Sequence, residues 1–590
     1  MKLTQRYILI SVFSLLACFT LTYVVLLHNT ITQLSTENKT ITNRGSSQHG
    51  GLIDSAIKTR QITMTADEFR KNPGMKTGNP LIDDYGKNDM TLKGENGSKV
   101  VFPKDKMADV KASLARHRLN VLASDAIPLN RIVPDSRFKR CPNITYDHDL
   151  PTASVIIPFY NEWPSILLRT VYSIINRTPR HLLWEILLID DSSDLEGLKE
   201  SLDTYVASHY PRGLVKIIRM PERVGLIKAR QHGWKISTGD VIVIFDSHME
   251  VNKDWLQPLL TLIKSDRKTI ALGTLDYIKA ETLEYTWNHN YLTRYGFDWR
   301  MLFYETYFRP DNVGPDLETP KRGVVMVGTG YAVDKKYFGE IGGFDDGMKV
   351  WGGENIELAW RTWMCGGQLM HAPCSKIGHI ARSQPYQFPG GRRKTEVTNY
   401  KRAVEVWMEP EHKKFVYDFF PDMKEVDAGD LSDRLALKKK LKCKNFTWFL
   451  DNIWPELLVY DRNVFAWGSA RNPSSNRCLD NHQHLFQAPN PLFADLCHYH
   501  FATQGFSWIT DRTLRTSLHC VVLKSYRLKE RPQIQGCLAG SRDVWIHLKN
   551  GFLKHEISGL CMDLDEVGPF MNTCQIDSPS QMWTFNKYNI

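Results

Sequence analysis

Glu185-Ile186-Leu187-Leu188-Ile189-Asp190-Asp191 is the stretch on which the fold turns. Four consecutive large apolar residues closed by two acids are too few for a helix and fit a strand buried on both faces. Similar runs flank it: Ser154-Val155-Ile156-Ile157 before, Leu214 to Arg219 and Val241 to Phe245 after. Between them, Ser165–Ile175 and Leu226–Lys235 carry helical spacing. Strands alternating with helices predict an α/β domain on a parallel sheet. Ligands of such sheets bind beyond the carboxyl ends of the strands. The sequence sets Asn161-Glu162, Asp190-Asp191 and Asp246-Ser247-His248 at those ends.

A carboxylate and an imidazole two residues apart at a strand end, Asp246 and His248, can converge on one cation. Mixed oxygen and nitrogen ligands suit a Mn²⁺-like ion that also holds a diphosphate. Asp190-Asp191 can accept from the base and ribose of a nucleotide, or can form a turn and helix cap with Ser192, Ser193 and Asp194. Arg223 offers a guanidinium fork to a nucleotide or phosphate. In Trp351-Gly352-Gly353-Glu354-Asn355 the two glycines permit close backbone approach, the indole is a fixed donor and Glu354 an acceptor; Glu354 to Arg361 reads as a helix. His379 adds a second imidazole, and Gln384 to Gly391 reads as a lid between Pro and Gly hinges.

After about residue 460 the pattern changes. Cysteines come in three pairs, Cys478/Cys497, Cys520/Cys537 and Cys561/Cys574, whose first members lie 42 and 41 residues apart. That period predicts three similar units of short strands and loops, each stapled by one disulfide. Cys478-Leu479-Asp480 and Cys561-Met562-Asp563 repeat an acid after the cysteine; the middle unit has Cys520-Val521-Val522 instead.

The remaining features concern size and compartment. A chain of 590 residues exceeds one core. Its net charge of +10 is small for that length, and the strongest basic run is Lys438-Lys439-Lys440, which argues against dedicated nucleic-acid binding. Lys2 and Arg6 precede an uncharged stretch, Tyr7 to Leu27. As a helix it spans about 31 Å, enough for a bilayer core, with a cytoplasmic N-terminus. One of the 11 cysteines, Cys18, falls in that stretch, leaving an even number outside, as an oxidising compartment favours. Sequons follow at Asn38, Asn96, Asn143, Asn176 and Asn445. Residues 29–100 hold only Phe69 and Tyr85 as aromatics and read as a flexible stem. The expected division is a tail (1–6), an anchor (7–27), a stem (28–140), a catalytic α/β domain (141–445), a linker (446–461) and an all-β repeat domain (462–590).

Together these motifs resemble the UDP-GalNAc:polypeptide N-acetylgalactosaminyltransferases. The most specific pieces are Asp246-Ser247-His248, Trp351–Asn355 with Cys365-Gly366-Gly367, Pro373-Cys374-Ser375 to His379, and Phe388-Pro389-Gly390-Gly391. The resemblance implies a GT-A catalytic domain and a ricin-type β-trefoil lectin on a single-pass type II Golgi membrane protein. It implies transfer of GalNAc from UDP-GalNAc to Ser/Thr of polypeptides or glycopeptides, with the α configuration retained. Residue by residue, it makes Asp246, His248 and His379 ligands of Mn²⁺, and Asp191, Arg223 and Ser247 contacts of the UDP-sugar. Trp351 and Glu354 fall at the diphosphate and transferred sugar, Arg382 and Tyr386 on the nucleotide-facing lid. Asp480 and Asp563 become the candidates for lectin sugar binding. Disulfides Cys141–Cys374 and Cys365–Cys443 follow from the same resemblance.

Three departures stand out. Pro158 and Tyr160 replace a Thr and a His common in that family; the lid is one residue shorter and lacks a His. In the lectin, Thr503 and Ser580 stand where Asn is expected, and the middle unit lacks its acid. The competing reading is a catalytically weak glycoprotein-binding lectin on the same scaffold; the complete set Asp246, His248, His379 and Glu354 weighs against it.

Overall fold

The computed structural model describes residues 93–287, 292–308, 316–383, 388–482, 490–498, 501–517, 519–537 and 543–589. The expected tail and anchor, the stem as far as residue 92, Asn38 and Tyr386 lie outside the described residues. Among the described residues no helix is long and apolar enough to cross a membrane.

The first part of the chain builds strands β1 (Ala153–Phe159), β2 (Leu183–Asp190), β3 (Val215–Arg219), β4 (Val241–Ile244), β5 (Met249–Val251), β6 (Thr269–Ile278) and β7 (Tyr285–Thr286). A hairpin, β8 (Thr293–Phe297) with β9 (Phe303–Tyr307), precedes β10 (Lys321–Arg322), β11 (Tyr331–Asp334) and β12 (Gln368–His379). The helices used below are α1 (Met107–His117), α2 (Val121–Ala126), α3 (Pro164–Arg177), α4 (Leu226–Ile236), α5 (Leu256–Ser265), α6 (Glu354–Met364) and α7 (Arg392–Trp407).

Ten strands form one sheet in the order β10-β12-β6-β11-β4-β1-β2-β3, with β5 on β12 and β7 on β6. β4, β1, β2 and β3 run parallel. β11 runs antiparallel to both β4 and β6, so the sheet is mixed rather than parallel as expected. Four residues long, β11 follows no helical crossover, and the alternation of strand and helix did not mark it.

The apolar runs are continuous because both faces are covered. Ile156, Leu187, Ile189, Ile242 and Ile244 join one core with Ile227 of α4 and Trp360 of α6. Val155, Ile157, Ile186, Leu188 and Val243, the alternate residues, join another with Leu167 of α3 and Leu259 of α5. Each such side chain taken from water contributes roughly 1.5–3 kcal/mol. Pro158 is tolerated in this central strand. Ile156, of the same parity, gives its carbonyl to Phe245 N–H, so residue 158 faces the flank where β4 has already ended.

Two expected boundaries are corrected. Residues 94–138, assigned to the stem, are folded onto the catalytic domain: Leu119, Ala123 and Ile127 pack with Ile166, Ile278 and Leu283. Arg131 donates to Glu250 through Nε (2.8 Å) and Nη2 (2.6 Å), and to the Gly94 and Leu283 carbonyls. Poor in aromatics, the segment docks through aliphatic side chains and buried arginines. Likewise 446–461 is no loose linker. Phe446, Phe449, Trp454 and Leu457 are buried in the core that holds Trp360, and Trp299 Nε1 donates to the Leu458 carbonyl. Asn176 is also withdrawn as a glycan acceptor, because it lies inside α3 and is 1% exposed. Asn96, Asn143 and Asn445 are exposed.

All five disulfides are formed: Cys141–Cys374, Cys365–Cys443, Cys478–Cys497, Cys520–Cys537 and Cys561–Cys574. In the C-terminal domain Leu479, Val521 and Met562, one from each unit, share one core. Trp545 Nε1 donates to the Val521 carbonyl and Trp583 Nε1 to the Met562 carbonyl, both at 3.0 Å, the same contact in two units.

Candidate active site

The carboxyl ends of β1, β2 and β4 and the end of β12 open on a cleft that encloses about 310 Å³. Its lining includes Glu162, Asp191, Arg223, Arg230, Asp246, Ser247, His248, Trp351, Glu354, His379 and Arg382. Asp191, Arg223, Asp246, Ser247, His248, Trp351, Glu354, His379 and Arg382, all expected from the sequence, line it; Asp190 does not, and Tyr386 lies outside the described residues.

Asp246, His248 and His379 present ligand atoms all within 4.8 Å of one another. β5 pairs with β12 so that His379 stands opposite Met249, which brings the histidine in from more than a hundred residues away. His379 Nε2 lies 3.4 Å from Asp246 Oδ2, is buried, and has no hydrogen-bond partner. His248 Nδ1 lies 2.8 Å from Glu162 Oε2, which leaves Nε2 as its ligating nitrogen. An orphaned imidazole nitrogen beside a carboxylate and a second, oriented imidazole fits a divalent cation. Burial pushes the Asp246 carboxyl up, but the neighbouring His379 imidazole and the Arg230 guanidinium outweigh it and hold the pKa well below the usual range.

Arg230 was missed by the sequence reading. Wholly buried in α4, it donates through Nη2 to Asp246 (2.9 Å) and through Nη1 to Glu354 (3.1 Å). It thereby ties Asp246 to Glu354. The available signal was an arginine three residues after Ile227, on the same buried face of α4.

Glu354 opens α6, and its other oxygen accepts from Gly352 N–H at 2.9 Å. The turn before it needs its glycines, since Gly352 and Gly353 have φ of 99° and 85°. Asn399 of α7 fixes that turn by donating to the Lys349, Trp351 and Gly352 carbonyls. At Gly225 (φ 88°) a Cβ would stand 2.4 Å from Val350 Cα, so glycine allows the start of α4 to lie against the Trp351 loop.

On the nucleotide-facing side Asp191 accepts from Val224 and Gly225 N–H, and its burial raises its pKa. Asp190 is a structural partner instead, accepting from Ser193 N–H and from Arg219. The Arg223 guanidinium lies 4.1 Å from the centre of the Tyr160 ring, so the tyrosine that departs from the family pattern seats this arginine by a cation–π contact. Arg392 lies 5.3 Å from the Trp351 ring. Ser247 Oγ and Arg382 both turn to Glu162. Burial pushes the Glu162 carboxyl up, yet Arg382 and His248 prevail and bring it down to about 2.

In the repeat domain Asp480 faces Phe493, and Asp563 faces Phe570, across paired strands. Asp480 accepts from His482 N–H and Gln504, while Asp563 accepts from Asn572 and Gln581. His482 stacks on Phe493 at 3.9 Å, and Lys529 lies 4.1 Å over Phe570. The middle unit has Val522 where the others have the acid; Asp543, two residues before Trp545, accepts from Leu523 N–H.

Family models match three stretches: glycosyl transferase family 2 (154–341), N-terminal domain of galactosyltransferase (312–384) and ricin-type beta-trefoil lectin domain (466–583). The chain is 40% identical to polypeptide N-acetylgalactosaminyltransferase 13 of Homo sapiens, over 83% of this chain and 88% of that protein. It is 37% identical to N-acetylgalactosaminyltransferase 7 of Drosophila melanogaster, over 84% and 85%. The crystal structure of GalNAc-T7 with UDP, GalNAc and Mn²⁺ superposes with a TM-score of 0.60 at 32% identity, covering 85% of this chain and 93% of that one. A glycosyltransferase sheet with a ricin-type trefoil, a cleft at the strand ends and near-full-length identity to such relatives lead to one conclusion: the chain belongs to the polypeptide N-acetylgalactosaminyltransferase family.

Proposed function

We propose that this enzyme transfers GalNAc from UDP-GalNAc to the hydroxyl of Ser or Thr in a polypeptide, retaining the α configuration and so initiating mucin-type O-glycosylation. The observation that carries the reading is the meeting of Asp246, His248 and His379 across the cleft from Glu354, linked through Arg230. The three ligands would hold Mn²⁺, which when bound compensates the charge of the departing diphosphate. Asp191 and Arg223 orient the nucleotide, and Trp351 with Arg392 lies at the diphosphate. Glu354, steered by Arg230 and Gly352 N–H, faces the sugar and accepts from its hydroxyls. The acceptor hydroxyl approaches the face that UDP leaves, which preserves the α linkage.

The same reading places the protein in the Golgi membrane, anchored by 7–27 with its catalytic domain lumenal. It assigns glycan binding to Asp480 or Asp563 of the trefoil. Mass spectrometry of a naked Ser/Thr peptide library after incubation with UDP-GalNAc and Mn²⁺ tests the activity. Addition of single N-acetylhexosamines is expected; a library left unmodified by folded protein contradicts the reading.

A further inference from the structure

Glu162 gathers donors from three separate parts of the chain. Ser247 Oγ reaches its Oε2 at 2.9 Å, and His248 Nδ1 the same oxygen at 2.8 Å. Arg382 Nη2 spans both oxygens at 2.7 and 2.6 Å. Trp163 N–H takes Oε1 at 2.9 Å. Nη1 of the same arginine donates to the His117 carbonyl at the end of α1 (2.8 Å). Glu162 is 3% exposed, and a buried charge is retained at a cost unless its partners use it.

We propose that Glu162 is a positioning residue that fixes the ring of His248 for the cation and ties that ligand to Arg382. A carboxylate on the far nitrogen holds an imidazole in one tautomer and one orientation, and raises its basicity as a ligand. Arg382, anchored to His117, holds the carboxylate in turn. The segment before the sheet thus reaches the cation site through one arginine. This inference rests on the reading of Asp246, His248 and His379 as the cation site.

The test is Mn²⁺ binding by the purified full-length chain, followed by electron paramagnetic resonance of the free ion, with no sugar nucleotide present. Glu162→Gln keeps the shape and loses the charge; it should raise the Mn²⁺ Kd about 10–100-fold. Glu162→Asp, which keeps the charge and guards against a misfolded Gln variant, should recover part of that loss. Arg382→Gln should weaken binding less, and combined with Glu162→Gln it should add nothing, because the two act through one contact. An unchanged Kd in a folded Glu162→Gln variant overturns the positioning role. Additive losses in the double variant overturn the link to Arg382. If the unsubstituted chain takes up no Mn²⁺, the cation site itself fails, and this inference with it.

Discussion

The cleft and the trefoil use the same residue types to opposite ends. In the cleft, Asp246 shares its carboxylate with Arg230 and stands beside an imidazole nitrogen that has no partner. In the trefoil, Asp480 and Asp563 are buried and take their hydrogen bonds from their own chain. Their facing rings are covered by His482 and Lys529. The lesson is that a carboxylate's role is set by whether the fold leaves a donor or ligand site beside it unfilled. The open ligand site therefore belongs to the sheet ends.

The comparison breaks most visibly at Arg230. Replacing it by Met strands the buried carboxylate of Glu354 and the half-buried one of Asp246, and should cost about 3–5 kcal/mol of stability along with activity. Chemical denaturation of the purified variant measures this, and a loss below about 1 kcal/mol would contradict the pairing drawn here. At His379 the effect should be purely catalytic. His379→Ala should lower the rate about 10²-fold or more, close to 3 kcal/mol, at a nearly unchanged melting temperature.

In the trefoil the expected effects change kind. Replacing both Cys561 and Cys574 by Ser opens a short loop and should destabilise that domain by roughly 2–3 kcal/mol. Transfer to naked peptides at low temperature should persist; equal loss of both properties would show the two regions to be one catalytic unit.

A pH effect of similar size belongs to the catalytic sheet. Burial, helped by Arg294, pulls His371 down to about 3. An unfolded imidazole takes its proton near 6.5. The folded chain refuses it until far lower, so this contribution to stability is complete above pH 6.5 and is lost as the pH falls toward 3. At pH 5 the loss is about 2 kcal/mol. His371→Phe should flatten the stability slope between those values; an unaltered slope would refute it. The smallest effect is expected at the lectin acids. Asp480→Asn with Asp563→Asn should reduce turnover of glycopeptides severalfold, about 1 kcal/mol, and spare naked peptides. Unchanged glycopeptide kinetics would make the trefoil structural.

Much of the cleft was legible because strand-end residues are local. Asp191, Asp246 and His248 each follow an apolar run that announces its own end, and the glycines of 352–353 announce a turn. Arg230 and Glu162 were not legible as a network, since their side-chain partners come from positions 16 to 220 residues away and only the sheet order brings them together. The mixed sheet escaped notice because a four-residue strand such as β11 has no periodicity of its own. The packing of 94–138 escaped because composition registers aromatics, whereas that segment docks through Leu119, Ile127 and Arg131.

The central claim, that this cleft performs a retaining transfer, is tested most directly by the anomeric configuration of the product. Proton NMR of a Thr-containing peptide, after reaction with UDP-GalNAc and Mn²⁺, should show a single α-linked GalNAc on the threonine oxygen, formed by the unsubstituted chain and not by His379→Ala. A β-linked product, or an α-linked product formed equally well by the His379→Ala variant, would contradict the account.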